Sequence, residues 1–189
     1  YILAWISGIT IFVAAALAIV QSGIKLMLIY STVSQIGYVM LGISLGTSLG
    51  VAGGLLHLIN HMIFKDLLFL VAGAIMYKTG IDTLDKIGGL GKKMPITLIT
   101  FVIGVFAVAG VPPFNGFTSK WLIYQAAMEQ GYVFLALISL LTSVITLAYF
   151  MKFLHSAFFG QLPRNLENVK EVSWIMLAPM VILAASCII

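Results

Sequence analysis

The chain has 189 residues, 61% of them hydrophobic and only 8% charged, with a mean hydropathy of +1.13. A water-soluble globular domain carries roughly 25% charged residues, so a soluble fold is excluded, and intrinsic disorder with it. The net charge of +4 does not make a nucleic-acid binder, because the ten basic residues lie scattered through apolar runs and form no basic face.

What remains is an all-α polytopic transmembrane bundle. A single cysteine, Cys187, cannot build a disulfide framework, an iron–sulfur cluster or a thiolate zinc site. The sequence opens on Tyr1 inside one hydrophobic run and stops at Ile189 inside another, with no initiator Met or signal peptide. That is expected of a piece of a longer chain. About 20 apolar residues cross a hydrocarbon core of about 30 Å. By that rule six spans are predicted, at 1–20, 27–45, 51–77, 96–128, 132–154 and 173–189, the last of them short.

The basic residues fix an orientation. The first, third and fifth connections and their flanks hold Lys25, Lys78, Lys86, Lys92, Lys93, Lys152, Arg164 and Lys170, whereas the second and fourth hold none. Loops rich in lysine and arginine stay on the cytoplasmic side, so the connections after spans 1, 3 and 5 are expected to be cytoplasmic. Lys25 opens the stretch Lys25–Tyr38, whose hydroxyl and amide groups can bond across helices. It reads either as an edge anchor or as a proton-entry point. Gly88–Pro95 is a basic turn without phosphate-loop spacing, and His155 reads as interfacial.

Two lysines stand apart. Lys65 lies near the middle of the third span and Lys120 inside the fourth. A charge at mid-bilayer costs at least ~2.5–3.5 kcal/mol and normally faces a bundle interior or wet cavity. The alternative is snorkelling to the interface, for which Lys65 is far from either end of its span. His57, His61 and Lys65 follow at i, i+4 and i+8, which on a helix places them along one slowly drifting stripe. Imidazole can donate at one nitrogen and accept at the other, and a lysine out of water can exchange its proton. The stripe therefore reads as an internal proton path. The competing readings are packed hydrogen-bonding histidines or a histidine-pair metal site. No metal is expected, because the nearest carboxylate, Asp66, is turned 100° from Lys65.

The fourth span is too long to be straight. Residues 96–128 would extend ~50 Å as one helix, and they carry Gly110, Pro112, Pro113 and Gly116 in the middle. Adjacent prolines remove two backbone donors and clash with the preceding turn, so a break is predicted there, the other reading being a simple kink. Discontinuous helices mark ion sites in transporters. Lys120 follows in the first turns of the second half, at the positive end of its dipole.

Four stretches, KLMLIYSTVSQIGY (25–38), HLINHMIFKDLLFL (57–70), GGLGKKMP (88–95) and GVPPFNGFTSK (110–120), together resemble the antiporter-like subunits of respiratory complex I, membrane-bound hydrogenases and Mrp-type sodium/proton antiporters. Their order and spacing match from about residue 10 to 160. The resemblance implies a larger subunit of two inverted five-helix repeats, in which residues 1–160 are the second repeat and 161–189 a loop and the start of the following helix. It implies that Lys65 is the central lysine, His57 and His61 its relay neighbours, Lys120 the terminal lysine leading to the non-cytoplasmic side, and Lys25 a supporting cytoplasmic-side lysine. Asp66 departs from the small or neutral residue usual there, and a carboxylate at that place would hold Lys65 charged.

The implied function is proton or sodium translocation driven by electron transfer in partner subunits. Nothing in this chain carries electrons. No cofactor is expected here, and iron–sulfur clusters, flavin or a nickel–iron centre belong to the partners. Other antiporter-like and small membrane subunits, redox subunits and the lipid bilayer are the expected partners, in a prokaryotic cell membrane or an equivalent energy-converting membrane. The rival readings are an Mrp-type antiporter subunit without redox chemistry, and a structural subunit whose polar groups only join helices.

Overall fold

The computed structural model describes residues 1–188. Among them the chain forms seven α-helices: α1 (Ile2–Val20), α2 (Ile24–Ser44), α3 (Ser48–Thr79), α4 (Pro95–Ala109), α5 (Asn115–Glu129), α6 (Val133–Phe158) and α7 (Trp174–Ser186). Short 3₁₀ turns lie at Leu84–Lys86, Leu90–Lys92 and Arg164–Leu166. α1, α2, α3 and α6 are long and apolar enough to cross a membrane, while α4 and α5 have 15 residues each and α7 has 13.

The packing reverses the pattern of a water-soluble protein. Large apolar side chains such as Ile9, Leu26, Ile59, Leu137 and Val144 point outward, while Gln35, His57, Asn60, His61, Lys65, Ser119 and Lys120 are buried. Lipid solvates the first set without penalty. The second must find partners inside, since an unpaired polar group is costly in an apolar medium. α3 is the central element: it packs against α2, α4, α5 and α7, and α6 closes the group against α1, α4 and α5. An aromatic cluster of Phe101, Phe150, Phe153 and Phe158 fills the space between α4 and α6.

The three basic connections meet at one end of the bundle. Ile24 N–H donates to the Asp82 carbonyl at 2.8 Å and Leu84 N–H to that of Ser22 at 2.9 Å, so the α1–α2 turn is tied to the α3–α4 loop. The α6–α7 loop joins them through Lys93, whose Nζ donates to the Glu167 carbonyl at 2.7 Å. Glu171 from that loop caps α4: its carboxylate accepts from the N–H groups of Ile96 at 2.9 Å and Thr97 at 3.3 Å, and from the Thr97 hydroxyl at 2.6 Å. A carboxylate there meets orphan donors and the positive end of the helix dipole together. Lys152 Nζ caps α1 at the same end through the carbonyls of Ile19 and Gln21.

The predicted boundaries shift at several helix ends, and α3 extends beyond 51–77 on both sides. Lys25, assigned to the first connection, lies in the first turn of α2, which begins directly after Gly23. α6 runs on to Phe158. Residues 96–128 are two helices, separated by Gly110–Phe114.

Candidate functional site

Helix α3 is a 32-residue rod, and Lys65 sits near its midpoint, about 25 Å from one end and about 21 Å from the other at 1.5 Å per residue. No polar surface is within its reach. Lys65 is 3% exposed, its Nζ donates to the Leu28 carbonyl on α2 at 3.2 Å, and it lies 5.6 Å from the centre of the Phe150 ring. His61 stands one turn before it and packs edge-on against Phe64. His57, a turn earlier again, is fully buried.

His57 is held at both nitrogens. Its Nδ1 lies 2.9 Å from Ser119 Oγ on α5, and its Nε2 lies 3.1 Å from the Gln35 amide oxygen on α2. The set accommodates two proton arrangements. With Gln35 presenting its oxygen, Nε2 donates and Nδ1 accepts the Ser119 proton. With the Gln35 amide turned over, Nε2 accepts, Nδ1 donates to Ser119, and Ser119 donates to the Gly116 carbonyl 3.2 Å away. A histidine that can exchange tautomers without losing a partner can take a proton on one side and give it up on the other.

The segment between α4 and α5 positions the second lysine. Gly110 adopts φ +80°, the left-handed region that glycine enters without a Cβ clash, and ends α4. Gly116 lies directly against the Ala107 carbonyl, where any Cβ would collide with it. Asn60 on α3 donates to the Asn115 carbonyl at 2.9 Å, and Asn115 N–H donates to the Cys187 carbonyl at 3.0 Å, so the segment is anchored on both sides. Lys120 is thereby brought back over the end of α4. Its Nζ donates to the Val108 carbonyl at 2.9 Å and to Ser143 Oγ on α6 at 3.1 Å, and lies 4.5 Å from the centre of the Tyr38 ring.

This placement corrects the electrostatics expected from sequence. The sequence alone puts Lys120 at the positive end of α5 only. Its ammonium in fact rests on a last-turn carbonyl of α4, the negative end of a second helix. The two dipole ends oppose each other at one side chain.

His57, His61, Lys65 and Lys120 are thus all buried in one interior, with Gly110, Pro112, Pro113 and Gly116 shaping the turn that carries Lys120 into it. Lys25 and Asp66 are exposed and do not join them. Asp66 follows Lys65 directly, but the 100° step turns it to the outside of α3, so it supplies no counter-charge. No Asp or Glu is buried among the described residues, nor do they contain any cluster of three or more histidine, cysteine or acidic side chains able to hold a metal. His155 is exposed near the end of α6. Ser119, Tyr124 and Ser143 complete the network and are not singled out by sequence reasoning. The available signal is the recurrence of Ser139, Thr142, Ser143, Thr146 and Tyr149 in an otherwise apolar helix.

Residues 1–146 match the family described as NADH:quinone oxidoreductase/Mrp antiporter, TM. The chain belongs to that family. Within the NADH:quinone oxidoreductase/Mrp antiporter family it is 35% identical over 164 residues to NADH-quinone oxidoreductase subunit N of Desulforudis audaxviator, covering 86% of this chain and 32% of that protein. It is 42% identical over 129 residues to formate hydrogenlyase subunit 3 of Escherichia coli, covering 62% of this chain and 21% of that one. Among solved structures it matches a chain of the membrane-bound sulfane sulfur reductase, an archaeal respiratory membrane complex, with a TM-score of 0.95 and 39% identity over 99% of this chain and 31% of the other. The chain therefore spans about a third or less of the length of these relatives.

Proposed function

We propose that this chain is the proton-translocating core of an antiporter-like subunit in a redox-driven membrane complex, with His57, His61, Lys65 and Lys120 as the groups that carry the ion. The observation that carries this reading is the burial of two lysines and two histidines inside helices whose outer faces are apolar, with Lys65, Lys120 and His57 hydrogen-bonded, His61 Nε2 unpartnered, and no Asp or Glu buried among the described residues. A purely structural set of polar groups needs no ionisable members. Ionisable ones at this depth are costly to insert and are typical of ion paths.

In this reading α1, α2, α3 and α6 each cross the membrane, α4 and α5 form one crossing interrupted at Gly110–Gly116, and α7 begins a sixth. Residues 1–160 act as the second of two inverted five-helix repeats, and 161–189 lead into the next helix. The loops after α1, α3 and α6 face the cytoplasm of a prokaryotic cell or the equivalent side of another energy-converting membrane. Hydrogen bonds that join these loops support a common side for them. Electron transfer, with its iron–sulfur, flavin or nickel–iron groups, resides in partner subunits that sit beside other antiporter-like and small membrane subunits. Adding a proton to one buried lysine raises the cost of protonating its neighbour through the low-dielectric interior, which is how a redox event in a partner reaches this chain.

The orientation has a direct test. Single cysteines placed in loops 80–94 and 159–173, in a Cys187→Ser background of the assembled complex, are expected to react with a membrane-impermeant maleimide from the cytoplasmic side only. Labelling of the two loops from opposite sides would overturn the six-crossing layout.

The function is tested on the complex reconstituted in vesicles that contain a pH-sensitive dye. Proton uptake that requires the electron donor and persists without sodium is the expected result. Proton movement that follows an imposed sodium gradient in the absence of any donor would instead assign the chain to a sodium/proton antiporter.

A further inference from the structure

The basic turn GGLGKKMP (88–95) takes no part in the ion path. Its shape is set by close packing on the α6–α7 loop. Gly89 adopts φ +66°, and a Cβ there would lie 2.9 Å from Leu162. A Cβ on Gly91 would lie 2.9 Å from the Phe158 carbonyl. Gly89 N–H donates to the Phe159 carbonyl at 3.3 Å, and Leu90 is fully buried. The glycines therefore let the two segments lie backbone against backbone, and Lys92 and Lys93 follow directly on this seam.

A cleft of about 510 Å³ lies along the seam, within the range of about 300–1,000 Å³ typical of ligand sites. It is lined by the apolar side chains of Leu98, Phe158, Phe159 and Leu162 and by Lys92 and Lys93, and no carboxylate lines it. Lys93 Nζ donates to the Glu167 carbonyl at 2.7 Å. An ammonium has three donors, so two of them remain for another acceptor. Lys92 is exposed. Two observations point to the lipid–water boundary as the level of this cleft. Tyr77, near the end of α3, and Trp174, at the start of α7, are 73% and 68% exposed at the same end of the bundle, and exposed tyrosine and tryptophan gather at the headgroup level. Leu98 lies in the first turn of α4, and its neighbour Ile99 points outward like the other lipid-facing residues.

We propose that this cleft holds an anionic phospholipid, its phosphate on Lys92 and Lys93 and an acyl chain over Leu98 and Phe159. Basic pockets between helices on the cytoplasmic side of a membrane suit such headgroups, and the mixed lining selects among ligands. Free inorganic phosphate would meet the lysines but leave the four apolar side chains uncovered. A zwitterionic lipid would bring its own cation up to two ammonium groups. A neutral apolar molecule would cover the apolar wall and offer the lysines nothing. The lipid touches both the α3–α4 and the α6–α7 loops, the pair already joined by the bond from Lys93 to the Glu167 carbonyl, and adds a second tie between them.

This proposal rests on the membrane layout given above, and its test is read from lipid capture instead of pumping. The complex carrying Phe159→p-benzoylphenylalanine, or Leu98→p-benzoylphenylalanine where the first does not assemble, is reconstituted in vesicles of phosphatidylglycerol and phosphatidylcholine in equal amounts, with matched acyl chains. After irradiation, mass spectrometry of the chain identifies the adducts. Phosphatidylglycerol adducts are expected to exceed phosphatidylcholine adducts by about tenfold or more, in line with the attraction of two lysines for an anionic membrane surface. The double substitution Lys92→Gln and Lys93→Gln in the same background is expected to remove the preference, and Lys92→Arg with Lys93→Arg to keep it. Excess inorganic phosphate at matched ionic strength is expected to leave it unchanged. Equal capture of the two lipids, or a preference that survives the glutamines, overturns the proposal. Loss of the adducts to inorganic phosphate would make this a free-phosphate site, and crosslinking to a neighbouring subunit alone would make it a protein interface; either result also overturns it. Donor-dependent proton uptake in the same vesicles keeps the two readings apart. Normal uptake without lipid preference strikes the lipid site alone, and lipid preference without uptake strikes the function alone.

Discussion

Replacing Lys65 by methionine is expected to leave an assembled complex that scarcely pumps, with proton uptake lower by about 100-fold, within the usual range for removal of a positioned proton-transfer group. Methionine approximates the lysine stem in length and flexibility, so the contact with the Phe150 ring and the packing of α3 survive. The only bond lost is the one from Nζ to the Leu28 carbonyl. The Leu28 carbonyl keeps the Thr32 hydroxyl as a donor at 2.9 Å, so no acceptor is orphaned and the loss is one that a large membrane assembly tolerates. If the side chain served packing alone, uptake per assembled complex would remain at the parent rate, and that result would return Lys65 to a structural role. The measurement is dye-monitored uptake in vesicles, with assembly read by native gel electrophoresis of the same preparation.

The second large effect is an inversion of the usual conservative ranking at Lys120. Lys120→Arg keeps the positive charge, and Lys120→Glu reverses it. A guanidinium remains charged at any working pH, so arginine can occupy the Val108 carbonyl and Ser143 but cannot release a proton to either. A carboxylic acid can do both jobs in turn. Protonated, it donates to the Val108 carbonyl as the lysine does. Ionised, it accepts from Ser143, with the N-terminal end of α5 favouring the anion and the last-turn carbonyls of α4 opposing it. Translocation is therefore expected to fall by about tenfold or more in Lys120→Arg, again by analogy with lost proton-transfer groups, and to be retained to a greater extent in Lys120→Glu. An electrostatic anchor would produce the opposite order, with arginine close to normal and glutamate severely impaired. Uptake rates of the two variants per assembled complex decide between these, and the opposite order removes Lys120 from the ion path.

Part of this site could be read directly from the residues. The stripe of His57, His61 and Lys65 is legible because helical spacing is a local property, and the break near Pro112 and Pro113 because proline chemistry acts within one turn. Gln35 and Tyr38 belong to a stretch whose side chains could be expected to bond across helices, and they do, to His57 and to the Ser139 carbonyl. Ser143, Tyr124 and Ser119 were not legible. A hydroxyl in an apolar helix most simply bonds back to its own chain, as Thr142 and Thr146 do here. Nothing local says which face of α6 meets Lys120. Asp66 is exposed on α3, in keeping with the 100° turn from Lys65 that helical spacing already gives. A rule of about 20 residues per crossing recognises α1, α2, α3 and α6, whereas the 15-residue helices α4 and α5 fall short of it.

Helix α4 carries opposite charges at its two tips. The Glu171 carboxylate sits on its first N–H groups, and the Lys120 ammonium on a carbonyl of its last turn. At 15 residues it is a strut about 22 Å long, loaded like a bar magnet between two poles. When Lys120 is neutral one pole is gone, and only the Glu171 charge remains on the ends of a helix still packed against α3, α6 and α7. Through its two ends α4 thus joins a buried ionisable side chain to the loop that supplies Glu171.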